Sequence, residues 1–352
     1  MPQRREILKG AGASGLVLTA GCLESSTGDG DDGGSTTHVG IVFALGGLGD
    51  NGFNDTANRG VEKAADEFDI EFNRAQPEKA TQFKTNQQRF SESNSPDYDI
   101  ICCIGFLQQS ALKETSENFT DQKFMLVDSV VERDNVANYI FKEHEGSFQV
   151  GHIAGLLTQQ DFSAGAGETK SNKTKVGFVG GKESPLIRKF EAGYKAGVKH
   201  ASSDIEITSN YVGSFTDPVA GKEAAISMYD NGADIIYPAA GNSSSGVYKA
   251  AQERGRFTIG VDSDVSKSQP KFSDVTLASM VKRVDTATFN AIKSVKNDTF
   301  EGKTNSLGLE KNGISAVWGT DLESEIPDDV KSGIEDSRKK IINDDISVPK
   351  EP

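Results

Sequence analysis

From residue 38 onward, short apolar runs alternate with longer stretches in which apolar positions recur every three or four residues. The runs at 38–43, 70–73, 100–104, 123–127 and 139–141 are predicted as strands. The spacing between them predicts helices over 57–67, 81–91 and 108–118. Short apolar strands separated by helices form a parallel sheet covered on both faces. A helix is predicted at 145–159, where Phe148, Ile153 and Leu156 share a face, and a polar loop at 161–173. The alternation then restarts, with strands at 175–179, 205–212, 235–238 and 258–261 and helices at 185–202, 219–231 and 246–254. A strand at 276–279, a helix at 282–297, short strands beginning at 306–309 and at Val317, and a charged helix at 325–343 complete the chain. The fold class is α/β, with two doubly wound, Rossmann-like lobes joined by a hinge.

The stretch 39–55 reads VGIVFALGGLGDNGFND, a buried strand that stops at Gly46, Gly47 and Gly49 and gives way to a polar cluster and a helix. In doubly wound sheets such a strand-to-helix loop lies where ligands bind, at the carboxyl ends of the strands. Phe53 offers a flat apolar surface there. Asp50 and Asn54 offer hydrogen bonds to a ligand, or else cap the helix that follows. Phe215 also follows a strand in polar surroundings, and either ring serves a ligand or plugs its loop to the core. Asp128 and Asp262 each end an apolar strand, where a carboxylate can accept two hydrogen bonds from vicinal hydroxyls or cap a helix. Gly241 lets backbone approach a ligand closely. Lys282 follows Ser279-Met280-Val281 near a presumed hinge, where its own surroundings suit a solvated lysine opening a helix.

The first 37 residues change the picture. Arg4-Arg5 followed by Ile7-Leu8-Lys9 matches a twin-arginine export signal, and the apolar run 11–20 is too short to span a bilayer. Leu18-Thr19-Ala20-Gly21-Cys22 resembles a lipobox, so 1–21 is expected to be a signal peptide and Cys22 to carry lipid, against the alternative of a chance cysteine after an apolar run. Residues 22–37 are a Gly/Ser/Thr/Asp-rich flexible tether. The expected location is the extracellular face of the cell membrane, by a lipid anchor.

Charge narrows the partners. The chain has 52 acidic and 38 basic residues, a net charge of −14. Arg4, Arg5 and Lys9 against Glu6 give the first 21 residues +2, so the remainder carries −16. An acidic body repels nucleic acid and anionic membrane, and it fits a halophilic setting as well as simple solubility. Cys102 and Cys103 read as small buried hydrophobes. The four histidines have no metal-ligand spacing, so neither a metal nor a cofactor is expected. No Ser-His-Asp or Cys-His ordering supports catalysis, and Asp50 stands where a dinucleotide loop would meet pyrophosphate.

Eight motifs in order add a resemblance. They are GGLGDNGFND (46–55), FMLVDSVV (124–131), NVANYIFKEHEGSFQVGHIAG (135–155), GFVGGKESPLIRKFEAGYKAG (177–197), GSFTDPVAGKEAA (213–225), GADIIYPAAGNSSSGV (232–247), GVDSD (260–264) and ASMVKRVD (278–285). On them the chain resembles the basic membrane protein (Bmp) family of lipoproteins, particularly its purine nucleoside receptor branch. The resemblance implies a type I periplasmic-binding-protein fold that serves an ABC importer through permease and ATPase subunits. It implies a purine stacked between Phe53 and Phe215, ribose held by Asp128 and Asp262, and Lys282 on the ligand or on a ligand-binding aspartate. The lobes would be 38–142 with 280–305, and 143–279 with 306–352.

Three positions depart from the family pattern: Ala44 replaces an aspartate that bonds the purine edge, Gly52 a serine, and Val265 a glutamine. Ala44 predicts relaxed or redirected base selectivity. The same fold binding a modified nucleoside or another neutral ligand such as a sugar, a surface sensor with a membrane partner, and a nucleoside hydrolase are the competing readings.

Overall fold

The computed structural model describes residues 36–352; the expected signal peptide, Cys22 and the expected tether up to residue 35 lie outside the described residues. In the first half the strands are β1 (Thr37–Val42), β2 (Ile70–Ala75), β3 (Ile100–Cys103), β4 (Lys123–Val127) and β5 (Val136–Phe141). A small antiparallel hairpin, β6 (Ser163–Ala164) and β7 (Gly167–Glu168), occupies the stretch expected to be only a polar loop. The second half supplies β8 (Lys175–Gly180), β9 (Glu206–Tyr211), β10 (Ile235–Ala239), β11 (Phe257–Asp262) and β12 (Thr276–Lys282). Then come β13 (Thr304–Leu307) and β14 (Ile314–Trp318).

These strands form two six-stranded sheets of matching topology, β13-β5-β4-β3-β1-β2 and β14-β12-β11-β10-β8-β9. The first is wholly parallel, and the second is parallel except that β14 runs antiparallel to β12. The chain passes from one sheet to the other after β5, after β12 and between β13 and β14. In each sheet the order reverses beside the first strand, which opens a crevice at the carboxyl ends.

Central strands are apolar on both faces because helices cover both. Ile41, Ile100, Cys102, Met125, Ile259 and Met280 have no exposed surface. Cys102 and Cys103 are both free and buried, and burial pushes the Cys102 thiol up to about 12, so neither is a nucleophile at neutral pH. Helices Glu143–Thr158 and Pro185–Ala201 pack against each other, and a Cβ on Gly151 would meet the Tyr194 carbonyl oxygen at 2.2 Å.

Most element boundaries shift by a few residues from expectation, and two of the shifts matter for the site. The first helix begins at Phe53, four residues before the predicted start, because Asp50 satisfies its leading amides. Lys282 does not open a helix. It ends β12, which β11 and β14 flank and extend, and the next helix starts at Val284.

Candidate functional site

The loops at the carboxyl ends of both sheets line a partly open cleft, the kind of site where doubly wound sheets bind small molecules. All eight residues singled out as ligand contacts line it: Asp50, Phe53, Asn54, Asp128, Phe215, Gly241, Asp262 and Lys282. Phe53 and Asp128 come from the first sheet's side, and Phe215, Gly241 and Asp262 from the second. The two sides touch where the Ser263 hydroxyl donates to the Asn51 carbonyl at 2.7 Å.

Asp128 follows β4 and Asp262 ends β11, strands that hold equivalent places in the two sheet orders. Both adopt left-handed backbone, with φ of +68° and +64°. A non-glycine residue pays for that conformation only when its surroundings hold it there, and such residues concentrate at functional sites. Asp128 accepts a bond from Lys282 at 2.6 Å through one carboxylate oxygen, while the other is buried with no partner among the described residues. Burial raises the Asp128 carboxyl to about 6, against the pull of Lys282 and with help from Glu143. Burial likewise raises Asp262 to about 7, with Lys282 opposing and Asp128, Asp50 and Glu143 adding repulsion. Lys282 pairs with Asp128 and Glu143, and Glu143 also pairs with Lys189, so one Asp128 oxygen keeps its acceptor capacity.

Lys282 is almost wholly buried and sits over the faces of Phe53, Phe141 and Phe190, 5.0, 5.1 and 5.6 Å from the ring centroids. Burial works against its charge, but Asp128, Glu143 and Asp262 prevail and hold its pKa above the ordinary lysine value. It therefore stays an ammonium, with cation–π attraction to Phe53 adding to the ion pairs.

Asp50 and Asn54 do more for the loop than for the cleft. The Asp50 carboxylate accepts from the backbone amides of Gly52, Asn54 and Asp55, and burial still raises its pKa. Asn54 accepts from the Ala44 amide and donates to the carbonyls of Ala44 and Gly47. Its side chain closes the glycine loop and aims Phe53. Asn54→Ala should therefore lower unfolding free energy by about 1–3 kcal/mol, measured by urea denaturation without ligand. Gly241 has φ +56°, and a Cβ there would lie 3.1 Å from the Phe215 carbonyl oxygen, so it sets the position of that ring's loop.

Several cleft residues escaped the sequence reading. Phe106 meets Phe215 edge-on across the cleft, at 6.2 Å and 83°. Leu45, Leu107, Leu186 and Ile187 add apolar walls, and Asn242 adds an amide. Glu143, fully buried, lies 3.4 Å from Lys282 and 3.0 Å from Lys189. The motif at 135–155 contains Glu143, but nothing in its charge-rich surroundings marks it as buried.

A family model described as ABC transporter substrate-binding protein PnrA-like, named Bmp, matches residues 37–352. The chain belongs to the Bmp family. This Bmp protein is 35% identical over 364 residues to the CD4+ T-cell-stimulating antigen of Listeria innocua, covering 97% of this chain and 96% of that one. It is 30% identical over 356 residues to the ABC transporter nucleoside-binding protein BmpA of Lactococcus lactis, covering 95% of each. A solved ABC transporter solute-binding protein from Aeropyrum pernix has a TM-score of 0.78 at 28% identity, covering 89% of this chain and 94% of that one. As a Bmp protein the chain is a substrate-binding component of ABC transporters and not an enzyme. The two-sheet α/β architecture is that of such proteins.

Proposed function

We propose that this Bmp protein binds a purine nucleoside in the cleft, outside the membrane, and delivers it to an ABC importer. The observation that carries the reading is the pair of left-handed aspartates at matching strand ends, one of which, Asp128, keeps a buried unpartnered oxygen beside a buried ammonium. Vicinal ribose hydroxyls would donate to Asp128 and Asp262. The base would stack on Phe53 and Phe215, each contact contributing about 1–3 kcal/mol without specifying the base. The two lobes would hinge shut around the ligand at the three chain crossings. The surplus of carboxylates disfavours phosphate, so the nucleoside is preferred to the nucleotide. Anchoring through lipid on Cys22, after export by the twin-arginine segment, belongs to the same proposal.

Thermal unfolding tests it. Guanosine, inosine or adenosine at about a hundred times Kd contributes about 2.7 kcal/mol, a rise of several degrees. Free base or nucleotide should raise the melting temperature less. No shift with any of the three nucleosides would overturn the ligand assignment.

One observation favours a second reading. Ala44 puts a methyl group in the cleft wall, and Asn54 is committed to the backbone, so the loop after β1 offers little to discriminate a base edge. A modified nucleoside or another neutral hydroxylated ligand fits the same carboxylates. A panel that includes base-modified ribosides and simple sugars separates the two.

A further inference from the structure

Glu143 has no surface exposure, yet its carboxylate spans two lysines from different elements. Oε2 accepts from Lys189 Nζ at 3.0 Å, on the helix Pro185–Ala201, and Oε1 lies 3.4 Å from Lys282 Nζ. Glu143 begins the helix that follows the first chain crossing, and Lys282 ends the strand before the second. The contact therefore ties two of the three crossings together beneath the cleft. Lys189 also reaches the Phe141 carbonyl oxygen at 3.4 Å, at the end of β5, which adds to the hold on Glu143.

A lysine carries four rotatable bonds and a strongly hydrated head, so Asp128 alone leaves much freedom to a side chain that must stay dry. A second carboxylate within ion-pair range, though not hydrogen-bonded to the ammonium, restricts that freedom by charge. One Asp128 oxygen has no partner among the described residues.

We propose that Glu143 is a positioning residue: held by Lys189, it fixes Lys282 so that Asp128 keeps a free oxygen for the ligand. This rests on the nucleoside reading for the ligand's identity, but the hold on Lys282 can be measured without any ligand. The charged groups facing this cluster are Asp128, Asp262, Asp50, Lys282 and Lys189. Because Glu143 raises both Asp128 and Asp262, its charge also shifts the pH at which they ionise.

The test compares wild type with Glu143→Gln, which keeps the shape and removes the charge, and Glu143→Asp, which keeps the charge and shortens the reach. Reductive methylation read by mass spectrometry should leave Lys282 unlabelled in wild type, label it in Glu143→Gln and label it partly in Glu143→Asp. Guanosine affinity should fall about tenfold in Glu143→Gln and less in Glu143→Asp. The acid midpoint of binding should move to lower pH in Glu143→Gln, a change that a purely structural role would not produce. Lys282 equally protected in every folded variant would overturn the proposal, as would an unchanged midpoint of binding in Glu143→Gln. Should Glu143→Gln not fold, protection of Lys282 in Glu143→Asp decides. A wild type that binds no nucleoside rejects the ligand assignment, while the labelling pattern still decides the role of Glu143.

Discussion

Asp262→Asn will weaken nucleoside binding by about 10- to 150-fold, the loss of roughly 1.5–3 kcal/mol in charge-assisted hydrogen bonding, without destabilising the empty protein. The Asp262 carboxyl is raised to about 7 by burial, so its ionised form is on balance disfavoured by the surrounding protein. Removing that charge should raise the melting temperature at pH 8. Asp128→Asn makes the contrast. It weakens binding too, but Lys282 then loses its 2.6 Å partner while still buried. Breaking a buried pair from one side costs about 3 kcal/mol or more. Calorimetric titration and thermal unfolding of both variants check the pair. Equal loss of stability would mean that Asp262 is held by the protein as firmly as Asp128.

The second large effect is on pH. Asp128 and Asp262 ionise at about 6 and about 7, and only the ionised carboxylates accept fully from ribose hydroxyls. Affinity should therefore be low at pH 5, climb between pH 6 and 7, and level off near pH 8. Stability of the empty protein runs the other way. Both carboxyls bind protons more tightly folded than unfolded, so the folded state binds more protons above pH 4. Their joint contribution to stability is lost as pH rises from about 4 to about 7. The increase in melting temperature caused by guanosine should thus grow with pH while the unliganded value declines. A binding curve flat from pH 5 to 8 would remove these carboxylates from the ligand's contacts.

Much of the fold is legible because the central strands of both sheets are buried on both faces, which writes them as continuous apolar runs and spaces them by helices. The site residues that sequence reading found are those whose place follows from local pattern. Asp128 and Asp262 terminate apolar runs, and Phe53 and Phe215 stand out against polar loops. Glu143 was hidden because its burial depends on helix Pro185–Ala201 and on Lys189, more than forty positions away. Lys282 opens the predicted helix 282–297, since the predicted strand stops at residue 279. Only pairing with β11 and β14 extends the strand that far. The early start of the first helix has the same kind of cause, since the three amides that Asp50 accepts from are visible only in three dimensions.

The division of the cleft between two sheets has a kinetic consequence. Each side supplies phenylalanines and one left-handed aspartate, so under the proposed binding mode neither side alone would hold the whole ligand. Escape then requires the halves to part, and the residence time of a bound molecule is set by how often the protein opens. Substitutions at the crossing points, far from any ligand atom, should alter the exchange rate as strongly as substitutions that touch the ligand. A transporter that pries the halves apart would speed release without displacing a single contact by competition.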